Sequence, residues 1–213
     1  MFRVMKMRSF IAIDIEKKDV VEKIVNIEQL LKKSGAILKL VEPENLHITI
    51  RFLGEIDEKD VPILKATIEK NVAQFNPFVI SLKGIGAFPT KKNPRVVWIG
   101  VEKNRDMVIQ IAKKINADLD KMGFRIDKHE FHPHVTIARV KRFNSTLKSI
   151  IQQNEEIEIG DIIVRKVKIK KSTLTPQGPI YTTLEEIPLN KSGAGGGIRT
   201  RVGLRHWILS LAY

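Results

Sequence analysis

His47 and His134 lie 87 residues apart, and each opens a His-x-Thr unit in apolar surroundings, HITI at 47–50 and HVTI at 134–137. In a β-strand, residues i and i+2 share a face. His47 and Thr49 therefore point one way, with Ile48 and Ile50 behind them, and His134 and Thr136 repeat the arrangement over Val135 and Ile137. An imidazole titrates near neutrality and can serve as acid or base. Two presented together make a general acid–base pair, each proton transfer being worth ~10²–10⁴ in rate. The threonine hydroxyls, aimed from the same faces, can donate hydrogen bonds to charge that develops during reaction. One histidine on a strand is more often structural, whereas two matched units call for a common reason.

Three further side chains follow these motifs. Arg139 offers a planar cationic fork suited to phosphate. Strict alternation would turn it away from His134, so a bulge or strand end near Ala138 must redirect it. Arg51 falls on the histidine face, as a second phosphate ligand or an ordinary solvated arginine. Phe52 alternates away, as a core residue or, less simply, a platform for a terminal base. His129, His132 and His134 in HEFHPH have spacings that could hold a metal. Pro133 stiffens that segment and Glu130 is its only acidic neighbour, so a mechanism without metal or other cofactor is preferred. Gly84 and Gly86 lack the third glycine and the following helix of a dinucleotide loop and read as strand bulging.

The elements that must position these groups follow a repeating order. SFIAID (9–14) reads as a buried strand, and Val20, Val21, Ile24, Ile27, Leu30 and Leu31 give a helix stopped at Gly35. LKLVEPENLHITIRFLG is extended chain around a turn at Pro43, and a helix follows with Val61, Leu64, Ile68, Val72 and Phe75 on one stripe. FVISLKGIGAF and RVVWIGV are strands joined by the basic loop PTKKNP. A third helix spans Met107 to Met122, HPHVTIARV is a strand, and a short helix fits near 144–153. IIVRKVKIKKSTL and IYTTLEEI close the core. Strand, helix and His-x-Thr strand thus occur twice, which predicts an internal duplication. The expected fold is α+β and bilobal with a pseudo-two-fold axis, two antiparallel sheets flanking a central cleft and helices outside.

Composition narrows the partners. The 213-residue chain has no cysteine, which excludes disulfides and thiolate metal sites and fits the cytoplasm. It has no uninterrupted apolar run of the ~18 residues a membrane helix needs. The basic and apolar N-terminus is cut short by Asp14 with no small-residue cleavage site after it, so no secretory signal is expected. Residues 191–213 form a Gly-rich, basic tail without acids, expected to lie outside a 1–190 core. The formal charge is +13, and setting aside the tail's four cations leaves +9. Such a balance favours a polyanionic partner, since cations on phosphates release counterions. Lys91, Lys92 and Arg95 are candidate backbone contacts, or simply a solvated loop.

HITIRFLG (47–54) and HVTIAR (134–139) resemble the signature motifs of the two-histidine phosphoesterase superfamily. The similarity is greatest to the RNA 2′,3′-cyclic phosphodiesterases, long called 2′-5′ RNA ligases. It runs from about Met7 to Pro188 and takes in MRSFIAI, GIGAFP, NPRVVWIGV and FHPHVTIAR. The resemblance implies a groove with the motifs facing each other and substrates that are RNA ends or nucleotides bearing a 2′,3′-cyclic phosphate. It further implies His47 as the acid on the leaving 3′-oxygen and His134 as the base on water, leaving a 2′-phosphate. Thr49, Thr136 and Arg139 would hold the phosphoryl oxygens, with Arg51 and Phe52 as secondary contacts. Ligation through a 2′-5′ linkage, the reverse reaction, would use the same residues, and a non-catalytic RNA-binding module is the rival of another class. A monomer is expected.

Overall fold

Residues 6–124, 130–176 and 178–190 are described by the computed structural model. The 191–213 tail and His129 lie outside them. Alternation of buried and exposed side chains builds nine strands: β1 (Lys6–Asp14), β2 (Ile37–Leu40), β3 (His47–Asp57), β4 (Phe78–Thr90), β5 (Asn93–Val101), β6 (His134–Arg142), β7 (Glu158–Val164), β8 (Lys166–Leu174) and β9 (Pro179–Pro188). Four helices intervene, α1 (Lys18–Lys32), α2 (Val61–Val72), α3 (Arg105–Lys121) and α4 (Ser145–Gln153). Each helix has apolar residues at three- and four-residue spacing, and these make up most of its buried face, as with Val20, Ile24, Ile27 and Leu31 of α1 or Val108, Ile111, Ile115 and Leu119 of α3. Asn144 caps α4, its side chain accepting from the Leu147 amide at 2.8 Å. The stripes join Ile11, Ile13, Ile48, Ile50, Val135 and Ile137 in one core, each large aliphatic side chain contributing about 1.5–3 kcal/mol by leaving water.

The strands run β7-β4-β5-β6-β3-β1-β8-β9 with every pairing antiparallel, and β2 adds to β6. The fold is thus mixed α and β, but the two expected sheets are one. Between β3 and β6 the ladder has a single residue pair, Ile48 with Val135. It ends there because β2 occupies the next stretch of β6, setting Leu40 against Ala138 and Lys39 against Arg139. The run IIVRKVKIKKSTL also divides at Arg165, β7 pairing with β4 and β8 with β1 at opposite sides of the sheet.

Candidate active site

The Ile48–Val135 pair creates the site. Both side chains are fully buried, so the residues flanking each of them point together to the opposite face. One further step along the ladder in each direction would set His47 against Thr136 and Thr49 against His134. All four side chains are half-buried. The two rings are anchored alike. Nδ1 of His47 lies 2.6 Å from the carbonyl oxygen of Asn45, and Nδ1 of His134 lies 2.5 Å from that of His132. A carbonyl only accepts, so Nδ1 carries the proton in both rings and Nε2 is left for chemistry. Thr49 Oγ1 stands 3.0 Å from Nε2 of His47. Burial lowers the pKa of both imidazoles below the ordinary 6.5, partly opposed by these carbonyls. His47 also feels Lys170 pushing its pKa down, Asp14 pushing it up and His134 pushing it down.

Each histidine strand then bulges just after its threonine. On β3, Thr49 faces Ala12 and Arg51 faces Ile11, so Ile50 is the extra residue. On β6, Thr136 faces Trp98 and Ala138 faces Val97, so Ile137 is extra. Two successive residues are buried at each bulge, and the third residue after each threonine emerges on the histidine face. Arg139 emerges in this way, by a bulge at the expected place, and lies exposed within electrostatic reach of Tyr181. The equivalent bulge on β3 reverses two expectations. Arg51 is buried at 3% exposure, donating to Asp120 at 2.6 Å and to the Phe124 carbonyl oxygen at 3.4 Å, and is neither on the histidine face nor solvated. Phe52 is 62% exposed, its ring 6.3 Å from Phe10, which lies 5.0 Å from His47. Behind the β6 bulge, the Val41 amide donates to the Ile137 carbonyl oxygen at 3.0 Å and to buried Glu28 at 3.3 Å, whose pKa burial pushes up to about 8.

Several neighbours become apparent only from strand register. Tyr181 of β9 stands edge-on to His47 at 5.4 Å and to Phe10 at 4.9 Å. Burial raises its phenol pKa, against Arg139 and Arg8, which lower it. Around His134, Phe88 lies edge-on at 5.1 Å and Trp98 at 6.1 Å. Trp98 covers Gly86, where a Cβ would come within 2.2 Å of the ring carbons, which is what that glycine is for. Asp14 faces His47 across the β1–β3 ladder, and its carboxylate accepts from Lys170 at 2.8 Å and from Lys168 at 2.9 Å. Lys168 also bonds Glu16 and Glu186. Burial would raise the Asp14 pKa, but Lys170 and Lys168 override it and lower the value. His132 is exposed, with Nδ1 accepting from Arg105 at 3.4 Å and Nε2 3.7 Å from Glu130. Among the described residues no helix is long and apolar enough to cross a membrane.

The family described as LigT like phosphoesterase matches residues 14–98 and again 99–181. An Archaeoglobus fulgidus RNA 2′,3′-cyclic phosphodiesterase is 42% identical over 182 residues, 84% of this chain and 98% of its own. One from Methanocaldococcus jannaschii is 40% identical over 84% of this chain and 99% of its own. Among solved structures, TT0787 of Thermus thermophilus superimposes with a TM-score of 0.74 at 27% identity, covering 86% of this chain and 98% of that one.

Proposed function

Because this chain belongs to the LigT-like phosphoesterase family, we propose that it opens 2′,3′-cyclic phosphates at RNA ends to 2′-phosphates, with His47 and His134 as the acid–base pair. The observation that carries this is the matched pair of imidazoles on one sheet face, each with Nδ1 fixed by the carbonyl two residues before it. His134 Nε2 takes a proton from water as its oxygen attacks phosphorus. The P–O3′ bond breaks, and His47, entering the step as the imidazolium, gives its Nε2 proton to the leaving 3′-oxygen while Nδ1–H stays on the Asn45 carbonyl. The transition state spreads negative charge over the phosphoryl oxygens, which Thr49, Thr136 and Arg139 meet with hydrogen bonds. Strain in the five-membered cyclic ester makes a metal unnecessary, and no cofactor is assigned. Phe52 is well exposed to stack on the terminal base, whereas Arg51, committed to Asp120, is dropped from the site.

The bilobal duplication belongs to the same proposal. It is supported by two successive matches to one family, with His47 and His134 at similar depth in each, and by the paired bulges. A monomeric, cytoplasmic enzyme completes it, in keeping with the absence of cysteine from the sequence. The test is incubation with a mononucleoside 2′,3′-cyclic phosphate in excess EDTA, with the product followed by phosphorus NMR. A 2′-phosphate is expected. Turnover only on adding zinc or magnesium would overturn the metal-free mechanism, and a 3′-phosphate product would reverse the orientation of the substrate.

A further inference from the structure

Cations on the histidine face fall into two groups. On the outer strands β8 and β4 and the loop after β4 they are neutralised: Lys168 and Lys170 by Asp14, Glu16 and Glu186, Lys166 by Glu186, Lys83 by Glu102 and Glu156 and Lys91 by Glu155. Arg95 is the extra residue of a bulge on β5 and is exposed, apart from the strands that carry the histidines. On the strands between, β1, β6 and its partner β2, four cations, Arg8, Lys39, Arg139 and Lys141, are exposed and form no ion pair among the described residues. Their placement is continuous with the site. Arg139 and Lys141 succeed Thr136 along the same strand beyond its bulge, and Lys39 faces Arg139 from β2, its flanking Leu38 and Leu40 packing inward. The tip of Lys39 reaches across to Gly178, where a Cβ would lie 3.3 Å from Nζ. Arg8 lies two residues before Phe10 on β1, and although Glu55 is its cross-strand neighbour the two form no ion pair. Between these cations lie exposed Phe52 and the half-buried ring of Tyr181.

Unpaired cations interleaved with aromatic faces are what single-stranded nucleic acid needs, since phosphates take the charge and bases stack on the rings. We propose that the RNA strand upstream of the cyclic phosphate leaves the histidines along β6 and over β2, its backbone on Arg139, Lys39, Lys141 and Arg8. This rests on the reading that the substrate is an RNA end. It is set against the Lys91–Arg95 loop, where Lys91 is already held by Glu155 but Lys92 and Arg95 are exposed and form no ion pair among the described residues, and the test therefore includes that loop.

The test compares Lys39→Gln/Lys141→Gln with Lys91→Gln/Lys92→Gln, all surface positions that touch neither histidine. Binding of a labelled single-stranded oligoribonucleotide is followed by anisotropy over a salt series, with melting temperatures as a check on folding. The first variant is expected to bind about tenfold more weakly and to lose about 1.4 from the slope of log Kd against log salt, about 0.7 per phosphate contact. The second should match the wild type in both. An unchanged slope in the first variant, or an equal loss in the second, overturns the path. Turnover of a mononucleoside 2′,3′-cyclic phosphate by the wild type is measured beside it. Its absence would count against the proposed reaction while leaving the binding result to decide the path.

Discussion

The two histidine strands share a motif, a bulge and a ring anchor, yet their surroundings differ in kind. Beside His47 the facing strand supplies Asp14, a carboxylate locked to two buried lysines, whereas beside His134 the facing residue is Gly100, which supplies nothing. His47 is walled by Phe10 and Tyr181, His134 by Phe88 and Trp98. The residue delivered by the bulge is Phe52 on β3 and Arg139 on β6. The two strands therefore hold the imidazoles in equivalent poses, and the side chains on neighbouring strands make them unequal. In the proposed reaction that inequality separates the proton affinities of the two rings.

The largest effect should come from removing the rings themselves. His47→Ala and His134→Ala should each lower kcat by ~10²–10⁴ with melting temperature nearly unchanged. The double variant should be little worse than either single, as each ring acts only when the other completes the proton circuit. A folded single variant with near-normal turnover would break the pairing. Next comes the charged cluster found in only one half. Asp14→Ala takes from buried Lys170 its carboxylate partner, and from Lys168 one of three, and should cost about 3–5 kcal/mol in urea unfolding. Asp14→Asn/Lys170→Met, which removes one charge of each sign, should recover part of that loss. Full stability in Asp14→Ala would show that the halves differ less than their side chains imply. The smallest effect is in acidity. Both rings hold their proton less firmly than free histidine, so the bell-shaped profile of kcat/KM should centre below pH 6.5. The sign for stability is the same. A depressed histidine pKa favours the fold above the unfolded value and weakens it as pH falls through the folded value. A profile centred well above 6.5 would contradict burial as the dominant influence.

Much of this arrangement was legible in the sequence, because alternation and helical spacing report directly on which side chain is buried. His47, Thr49, His134 and Thr136 share a face as i, i+2 geometry requires. Alternation fails where an extra residue enters a strand. At Arg139 the chemistry of the side chain demanded a bulge, while at Arg51 nothing did, since an arginine on the histidine face was already plausible. If the two motifs are copies, a bulge at one requires a bulge at the other, and that inference would have exchanged Arg51 and Phe52 correctly. Tyr181, Asp14 and Lys170 carry no local signal, for they reach His47 only through the pairing of β1 with β3 and β8 and of β8 with β9. The single sheet was equally hidden, as one residue pair leaves no periodic trace.

That one pair has a mechanical meaning. Ile48 and Val135 join the two sides of the sheet at the level of both imidazoles. Because both side chains are fully buried in the one core, the spacing of the two rings is set by backbone pairing at that point and not by either connecting segment.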